Sequence, residues 1–324
     1  MGIQVVFHPS GYPGSVREAL CEGLRTRRIP ARFLYESVAQ ASRWTTYAKA
    51  YAPLHHQEDI ARLYDDLFSA ALDVMQGKPF QYLGLGCGDG IKDARFLDLA
   101  AQGQRDLRVT LVDASPPLVL EATLNLHKYA AKPLVADLEA CPGRPELTMD
   151  DSMEPIMMTC LGMLPTLGHK QLLPYLHLLT RQKDKVILSA NLSPSDTQAT
   201  RAEILLQYDN EPACAWYGGF LVDLGFTRSD FELKARTESI ESIPGAYRIV
   251  VEACLKTDVC VTVHGNKHTL HKDASIDLFR SERFTAEALL KCFSDHGFDV
   301  EAGSVSGDGQ EGLYLLAPFR KKSL

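Results

Sequence analysis

The strongest constraint on this chain is residues 80–92, Phe80-Gln-Tyr-Leu-Gly-Leu-Gly-Cys-Gly-Asp-Gly-Ile-Lys92. A strand-like apolar stretch, Tyr82 to Leu85, runs into glycines at alternating positions: Gly84, Gly86, Gly88 and Gly90. Glycine permits positive φ and lets a ligand approach the backbone closely. Such a loop between a strand and a helix is a nucleotide-binding turn. The spacing is not the dinucleotide fingerprint G-x-G-x-x-G, and no Lys-Ser/Thr pair follows Gly90 to hold a phosphate.

The spacing fits the E/D/L-x-G-x-G-x-G loop of class I S-adenosylmethionine (SAM) methyltransferases. A nucleoside ligand needs an acid at the end of the next strand to hold its ribose hydroxyls. Arg108-Val-Thr-Leu-Val-Asp113 supplies one. Leu134-Val-Ala-Asp137-Leu138-Glu139 reads as a third strand ending in an acid, where an adenine amino group would be met. Any α/β nucleotide fold whose acids merely cap helices would show one such element; three in order favour a SAM site.

Further strands are expected at Ile156–Leu161 and Lys185–Leu192, with helices at Lys92–Ala101, Pro117–Tyr129 and His169–Leu179. Parallel strands alternating with helices imply a doubly wound α/β sheet of the Rossmann-like class, with ligands beyond the carboxyl ends of its strands. Thr285–Gly297, Val300–Ser306 and Gly312–Pro318 close it as helix, strand, strand, the last antiparallel. Residues 196–284 then form an α+β insertion carrying the acceptor side, with strands at Phe231–Ala235, Ala246–Leu255 and Val259–His264 and a hairpin turn at Thr257-Asp258. Residues 1–75 read as an N-terminal helical lid, including an amphipathic helix over Glu58–Met75 with Ile60, Leu63, Leu67, Ala71 and Val74 on one face. Its aromatic stretch, from Tyr35 through Trp44 to Tyr51, either packs passively or closes over the ligands. The SAM-binding domain is thus residues 76–195 plus 285–324.

The sequence of 324 residues carries a net charge of −7, which argues against nucleic acid or an anionic membrane as the main partner. No apolar run is long enough to span a bilayer. Eight cysteines form no C-x-x-C pair, and no secretory leader is read, so reduced thiols in a cytoplasmic protein are expected. His264, His268 and His271 have metal-like spacing but fall around a Gly-Asn turn, and no metal is expected. His55 and His56 read as solvated lid residues rather than a base. Asn191 and Asp209 are further candidates at the crevice. The oligomeric state is left open, and the expected partner is a small molecule.

Beyond these elements the sequence resembles the histidine-specific SAM-dependent methyltransferases, which make the N-trimethylated histidine of ergothioneine biosynthesis. Pro30-Ala-Arg-Phe-Leu-Tyr35 is similar to the family's P-x-K-x-F-Y, and Ala50-Tyr51-Ala-Pro53 to its E-Y-Y-P. Leu83 to Gly90 with Lys92 matches L-G-x-G-x-x-x-K-T, and Val112-Asp113-Ala-Ser115 matches V-D-x-S. Asp137-Leu138 stands at D-F, Leu206-Gln-Tyr208-Asp209 at A-Y-D-D, and Phe279-Arg-Ser281-Glu-Arg-Phe-Thr285 at E-x-S-x-K-Y-T. The resemblance implies SAM contacts from Tyr35, Gly86, Lys92, Asp113, Asp137 and Leu138, and the loop reading adds Gly84 and Gly88 as cofactor-binding candidates. It implies substrate contacts from Tyr51, Tyr208 and Ser281, with the two tyrosines orienting an acceptor amine.

Two family residues are replaced: an Asn falls at Leu167 and a Glu at Phe279. A buried site built for an imidazole N–H loses that partner when Glu becomes Phe. The expected activity is therefore N-methyl transfer to a small amino-acid-derived substrate other than histidine, with Leu167 and Phe279 lining its pocket. The alternative is SAM consumption without methyl transfer: cyclisation to azetidine-2-carboxylate and methylthioadenosine, or aminocarboxypropyl transfer. A SAM-binding sensor without catalysis is the non-enzymatic alternative.

Overall fold

A computed structural model describes residues 3–51, 54, 57–103, 107–148 and 153–319, with the side chain of Tyr51 excepted. The N-terminal part forms β1 (Val6–Phe7), α1 (Pro13–Thr26), α2 (Val38–Tyr51) and α3 (Glu58–Met75). The glycine loop lies between β2 (Gln81–Leu85) and α4 (Ile91–Ala100). Next come β3 (Arg108–Asp113), α5 (Pro116–Asn125), β4 (Lys132–Val135), α6 (Arg144–Thr148) and β5 (Ile156–Leu161). The short α7 (Met163–Leu167), α8 (His169–Leu179) and β6 (Lys185–Asn191) follow.

The polypeptide then leaves the sheet through α9 (Gln198–Leu205), α10 (Glu211–Asp223), β7 (Phe231–Ser239), β8 (Ala246–Leu255), β9 (Val259–Val263), β10 (Asn266–Leu270) and β11 (Ser275–Phe284). It returns with α11 (Ala286–Asp295), β12 (Phe298–Val305) and β13 (Glu311–Pro318).

The main sheet has the order β1-β4-β3-β2-β5-β6-β13-β12. Strands β4, β3, β2, β5 and β6 are parallel, while β13 runs antiparallel to both β6 and β12. This is the expected Rossmann-like doubly wound sheet, closed by the expected antiparallel last strand. Strand order reverses between β2 and β5, so the crevice at their carboxyl ends is the topological switch point. The glycine loop and Gly162 open onto it.

The strands of this sheet are apolar on both faces because helices cover both. Leu83, Leu85, Met158, Cys160, Val186 and Leu188 face α8 and α11. Tyr82, Met157 and Ile187 face the other way, against α3 and α4. The helical period places Ile60, Leu63, Tyr64, Leu67, Phe68, Ala71 and Met75 of α3 in that second core. Val74, expected there, is 39% exposed. Met75 takes its place, because the buried stripe drifts with the 3.6-residue period.

A third core joins the insertion to the N-terminus: Leu20, Leu24, Phe33 and Leu34 pack with Trp216, Tyr217, Tyr247 and Ile249. Residues 1–75 therefore divide between two cores, α3 on the main sheet and α1 and α2 on the inserted elements. They also contribute β1, an edge strand too short to be seen in the residue pattern.

One expectation in the insertion is corrected. Thr257-Asp258 is not the turn of a paired hairpin, since β8 pairs with β7 and β11, and β9 pairs with β10. The hairpin turn is His264-Gly265, whose φ values of 49° and 85° are those of a tight two-residue connection matched to strand twist. Asp258 instead accepts a hydrogen bond from the Lys272 N–H at 2.7 Å and fixes a corner. Strand β11 was not anticipated at all. Three consecutive polar residues, Ser281, Glu282 and Arg283, are buried in it, which hides the apolar alternation that marks a strand.

Candidate active site

One cavity of about 610 Å³ opens at the switch point. Its first end is the glycine loop. Gly86 has φ +65°, and a Cβ there would overlap the Met163 side chain, so any other residue would be strained and would have to displace Met163. The Gly86 and Cys87 N–H groups both donate to the Val112 carbonyl, at 2.8 and 3.0 Å. The Gly88 N–H donates to Asp113 Oδ2 at 3.0 Å, and the Ser115 N–H to Asp113 Oδ1 at 2.9 Å.

Asp113 thus ties the loop tip to the start of α5. Each carboxylate oxygen keeps a lone pair free of these backbone donors, and the residue lines the cavity. Burial, only partly offset by the Ser115 and Gly88 N–H groups, pushes its pKa up to about 6.

Gly84, expected among the cofactor residues, does not line the cavity. A Cβ there would stand 2.5 Å from Asp93 Oδ1, so the position makes room for a buried network. In that network the Tyr82 hydroxyl donates to Asp93 at 2.6 Å and Thr159 reaches the same oxygen at 3.1 Å.

Lys92 lines the wall between loop and sheet, its Nζ 5.2 Å from the centre of the Tyr64 ring. The Tyr64 hydroxyl donates to Glu311 Oε1 at 2.7 Å. Burial opposes the Lys92 charge, yet Tyr64 and Glu311 outweigh it and hold the ammonium protonated.

Asp137 and Leu138 also line the cavity, but Asp137 is already engaged. Its Oδ1 accepts from the Glu139 N–H at 3.0 Å and its Oδ2 from Arg32 Nη1 at 3.2 Å. Arg32, which sequence reasoning quoted only inside a motif, has 3% of its side chain exposed and also donates to Ser10 O at 2.8 Å. Tyr35 is held beside this end, its carbonyl accepting from the Ser115 hydroxyl at 2.7 Å.

The second end is aromatic. Tyr35 meets Trp44 and Trp216 edge-on at 5.8 and 5.4 Å. Tyr47 stacks on Trp216 at 5.4 Å. Phe279 stacks on Tyr217 at 5.3 Å and lies 5.4 Å from Trp216. Trp216 is fixed by its indole N–H, which donates to Leu34 O at 2.7 Å. Leu167 completes this side of the cavity.

Strand β11 presents Phe279, Ser281 and Arg283 to the cavity at the two-residue period of a strand. A register shift between Asp277 and Phe279 re-aims that row. The Tyr208 hydroxyl donates to Ser281 Oγ at 2.9 Å, and Arg283 Nη2 donates to the Tyr208 oxygen at 3.3 Å.

Asn191 lines the cavity, whereas Asp209 does not. The side chain of Tyr51, with His55 and His56, lies outside the described residues. The residues that sequence reasoning did not single out are Trp216, Tyr217, Arg283, Tyr64 and Glu311. The adjacent Trp216-Tyr217 pair in a helix was the available signal for the first two; nothing local marked the others.

No family model matches the sequence, and no curated protein matches it. Among solved structures, it is similar to the PH0226 protein of Pyrococcus horikoshii OT3, with 14% identity, 84% of this chain and 98% of that chain covered, and a TM-score of 0.46. It is similar to an S-adenosylmethionine-dependent methyltransferase of Clostridium acetobutylicum, with 11% identity, 86% and 99% covered, and a TM-score of 0.46. It is also similar to the magnesium protoporphyrin IX methyltransferase of Synechocystis, with 13% identity, 89% and 97% covered, and a TM-score of 0.45. The strand order, rather than these likenesses, carries the fold.

Proposed function

We propose that this protein is a SAM-dependent N-methyltransferase whose acceptor is a small amino-acid-derived amine other than histidine. The observation that supports it is the two-ended cavity, with a glycine loop and Asp113 at one end and an aromatic wall with Ser281 and Tyr208 at the other. The free lone pairs of Asp113 suit ribose hydroxyls, and Gly86 and Gly88 line the same end of the cavity.

When bound, SAM supplies a sulfonium methyl group: the amine lone pair forms the N–C bond as the S–C bond breaks toward sulfur, and the new ammonium releases a proton. The residues then have to align and to stabilise moving positive charge. Aromatic faces from Tyr35, Trp44, Trp216 and Phe279 attract a cation by their quadrupoles. Holding nucleophile and methyl carbon in line supplies much of the rate, and no strong base is required. Tyr208 and Tyr51 are assigned to orient the amine.

Histidine is disfavoured because the imidazole-facing Glu of the family the sequence resembles falls at Phe279 here. The neighbouring carboxylate, Glu282, cannot substitute. It sits on the opposite face of β11, bonded to the His169 ring at 2.8 Å and to Arg248 at 2.7 Å.

The test is to incubate the purified protein with SAM alone and with a panel of amino acids, and to identify the nucleoside product by mass spectrometry. S-adenosylhomocysteine (SAH) that appears only with an acceptor is the expected result. Methylthioadenosine from SAM alone would overturn it in favour of intramolecular displacement. Intact SAM throughout would favour a sensor, and N-methylated histidine would overturn the acceptor assignment.

A further inference from the structure

Arg283 is a buried cation with nothing negative bonded to it. The residue is 4% exposed and lines the acceptor end of the cavity. Its Nη1 donates to Leu192 O at 2.9 Å, and its Nη2 to Gln207 Oε1 at 2.9 Å and to the Tyr208 oxygen at 3.3 Å. All three acceptors are neutral. Its Nε–H has no partner, and among the described residues it forms no ion pair. The carboxylate whose field reaches it, Glu311, is occupied by the Tyr64 hydroxyl. A buried charge without a counter-charge is costly and persists where an anion can complete it.

The hydrogen bonds around it have a fixed direction. A guanidinium only donates, so the Tyr208 oxygen accepts, and its own proton goes to Ser281 Oγ. The Ser281 hydroxyl, which lines the cavity, keeps its own proton to donate. Guanidinium, phenol and serine form a relay of donors that ends at the cavity lining. Such a terminus suits an acceptor-only group, and a carboxylate accepts from a planar guanidinium with good geometry.

We infer that Arg283, with the Ser281 hydroxyl, anchors a carboxylate of the methyl acceptor, so that the acceptor is an amino acid with a free carboxylate rather than an amide, an ester or a simple amine. This rests on the proposed function and narrows its substrate class. Glu311 is turned to the Tyr64 hydroxyl beside Lys92, which leaves the Arg283 Nε–H without an acceptor.

The experiment titrates a panel of L-α-amino acids, each with its primary amide and its decarboxylated amine, into SAH-saturated protein by calorimetry. At least one acid binds roughly 10-fold or more tightly than its own amide and amine, the discrimination expected of a charge-assisted contact. Arg283→Gln removes that preference while SAH affinity is kept, and Arg283→Lys restores part of it. Equal binding of acid and amide by the native protein would overturn the inference, as would the absence of any bound acid. Loss of SAH along with the acid in Arg283→Gln would also overturn it, because Arg283 would then serve the cofactor. If Arg283→Gln does not fold, the acid-against-amide comparison on the native protein still decides. Native protein that fails to bind SAH would overturn the cofactor reading itself, which is visible before any amino acid is added.

Discussion

At the residue scale, Asp113 is the most telling side chain. Its carboxylate already accepts two backbone N–H groups, and burial still leaves its pKa at about 6. The ionised form is the one that can accept two ribose hydroxyls, so nucleoside binding favours the carboxylate and opposes the proton. SAH affinity is therefore expected to fall as pH drops through about 6 and to be flat above it. Asp113→Asn should weaken binding by roughly 10- to 100-fold, the loss of hydrogen bonds to a charged group, and should flatten the profile. Calorimetric titration between pH 5 and 8 checks both; a native profile without the acid-side fall would sink the role given to Asp113. Gly86 makes a second case. Gly86→Ala combines positive φ with overlap on Met163, and should cost about 1–3 kcal/mol in stability, read from denaturant midpoints.

At the scale of elements, β11 links the site to the scaffold. One face carries Phe279, Ser281 and Arg283, and the other carries Glu282, which pins the start of α8. Burial pushes the Glu282 carboxyl up, but the His169 ring, the His169 N–H and Arg248 together leave it below the ordinary glutamate value of 4.5. A depressed carboxyl pKa contributes stability that is fully present above 4.5 and is lost as pH falls through the folded value. Glu282→Gln should cost about 1–3 kcal/mol at neutral pH, and the gap to the native protein should narrow in acid below 4.5. A gap that is constant with pH would contradict the assignment. Helix α2 supplies the facing wall, held by Arg43 to Asp223 at 2.6 Å and by Gln40 to Trp216 O at 3.2 Å. Trp44 projects from it to within 3.1 Å of where a Gly88 Cβ would lie, so it shields the loop tip.

At the scale of the whole molecule, the cavity is where three cores meet: Leu138 and Leu167 border it from one, Trp216 and Phe279 from the second, Ile60 and Tyr64 from the third. A ligand there ties them together. SAH at about 100 times its Kd should raise stability by roughly 2.7 kcal/mol and move any separate melting of the insertion into one transition, measured by calorimetry. A second transition unmoved by SAH would argue against that coupling. The chain has two tryptophans, Trp44 and Trp216, and both line the cavity, so their fluorescence should change on SAH binding. Among the described residues no helix is long and apolar enough to cross a membrane.

The sequence by itself determined the doubly wound sheet, because strand and helix periods and the glycine loop are local patterns of backbone need. It also located the loop, Asp113 and the aromatic segments. It could not show that Gly84 serves Asp93 rather than the cavity, that Arg32 reaches Asp137, or that Thr257-Asp258 leaves β8 unpaired with β9. Only the tertiary structure decided these, and with them the acceptor end. Ser281 and Arg283 acquire their meaning from Tyr208, Gln207 and Leu192, which lie some 70 to 90 residues earlier in the chain. Burial and partnership of a polar group depend on what folds against it, and no local pattern records that.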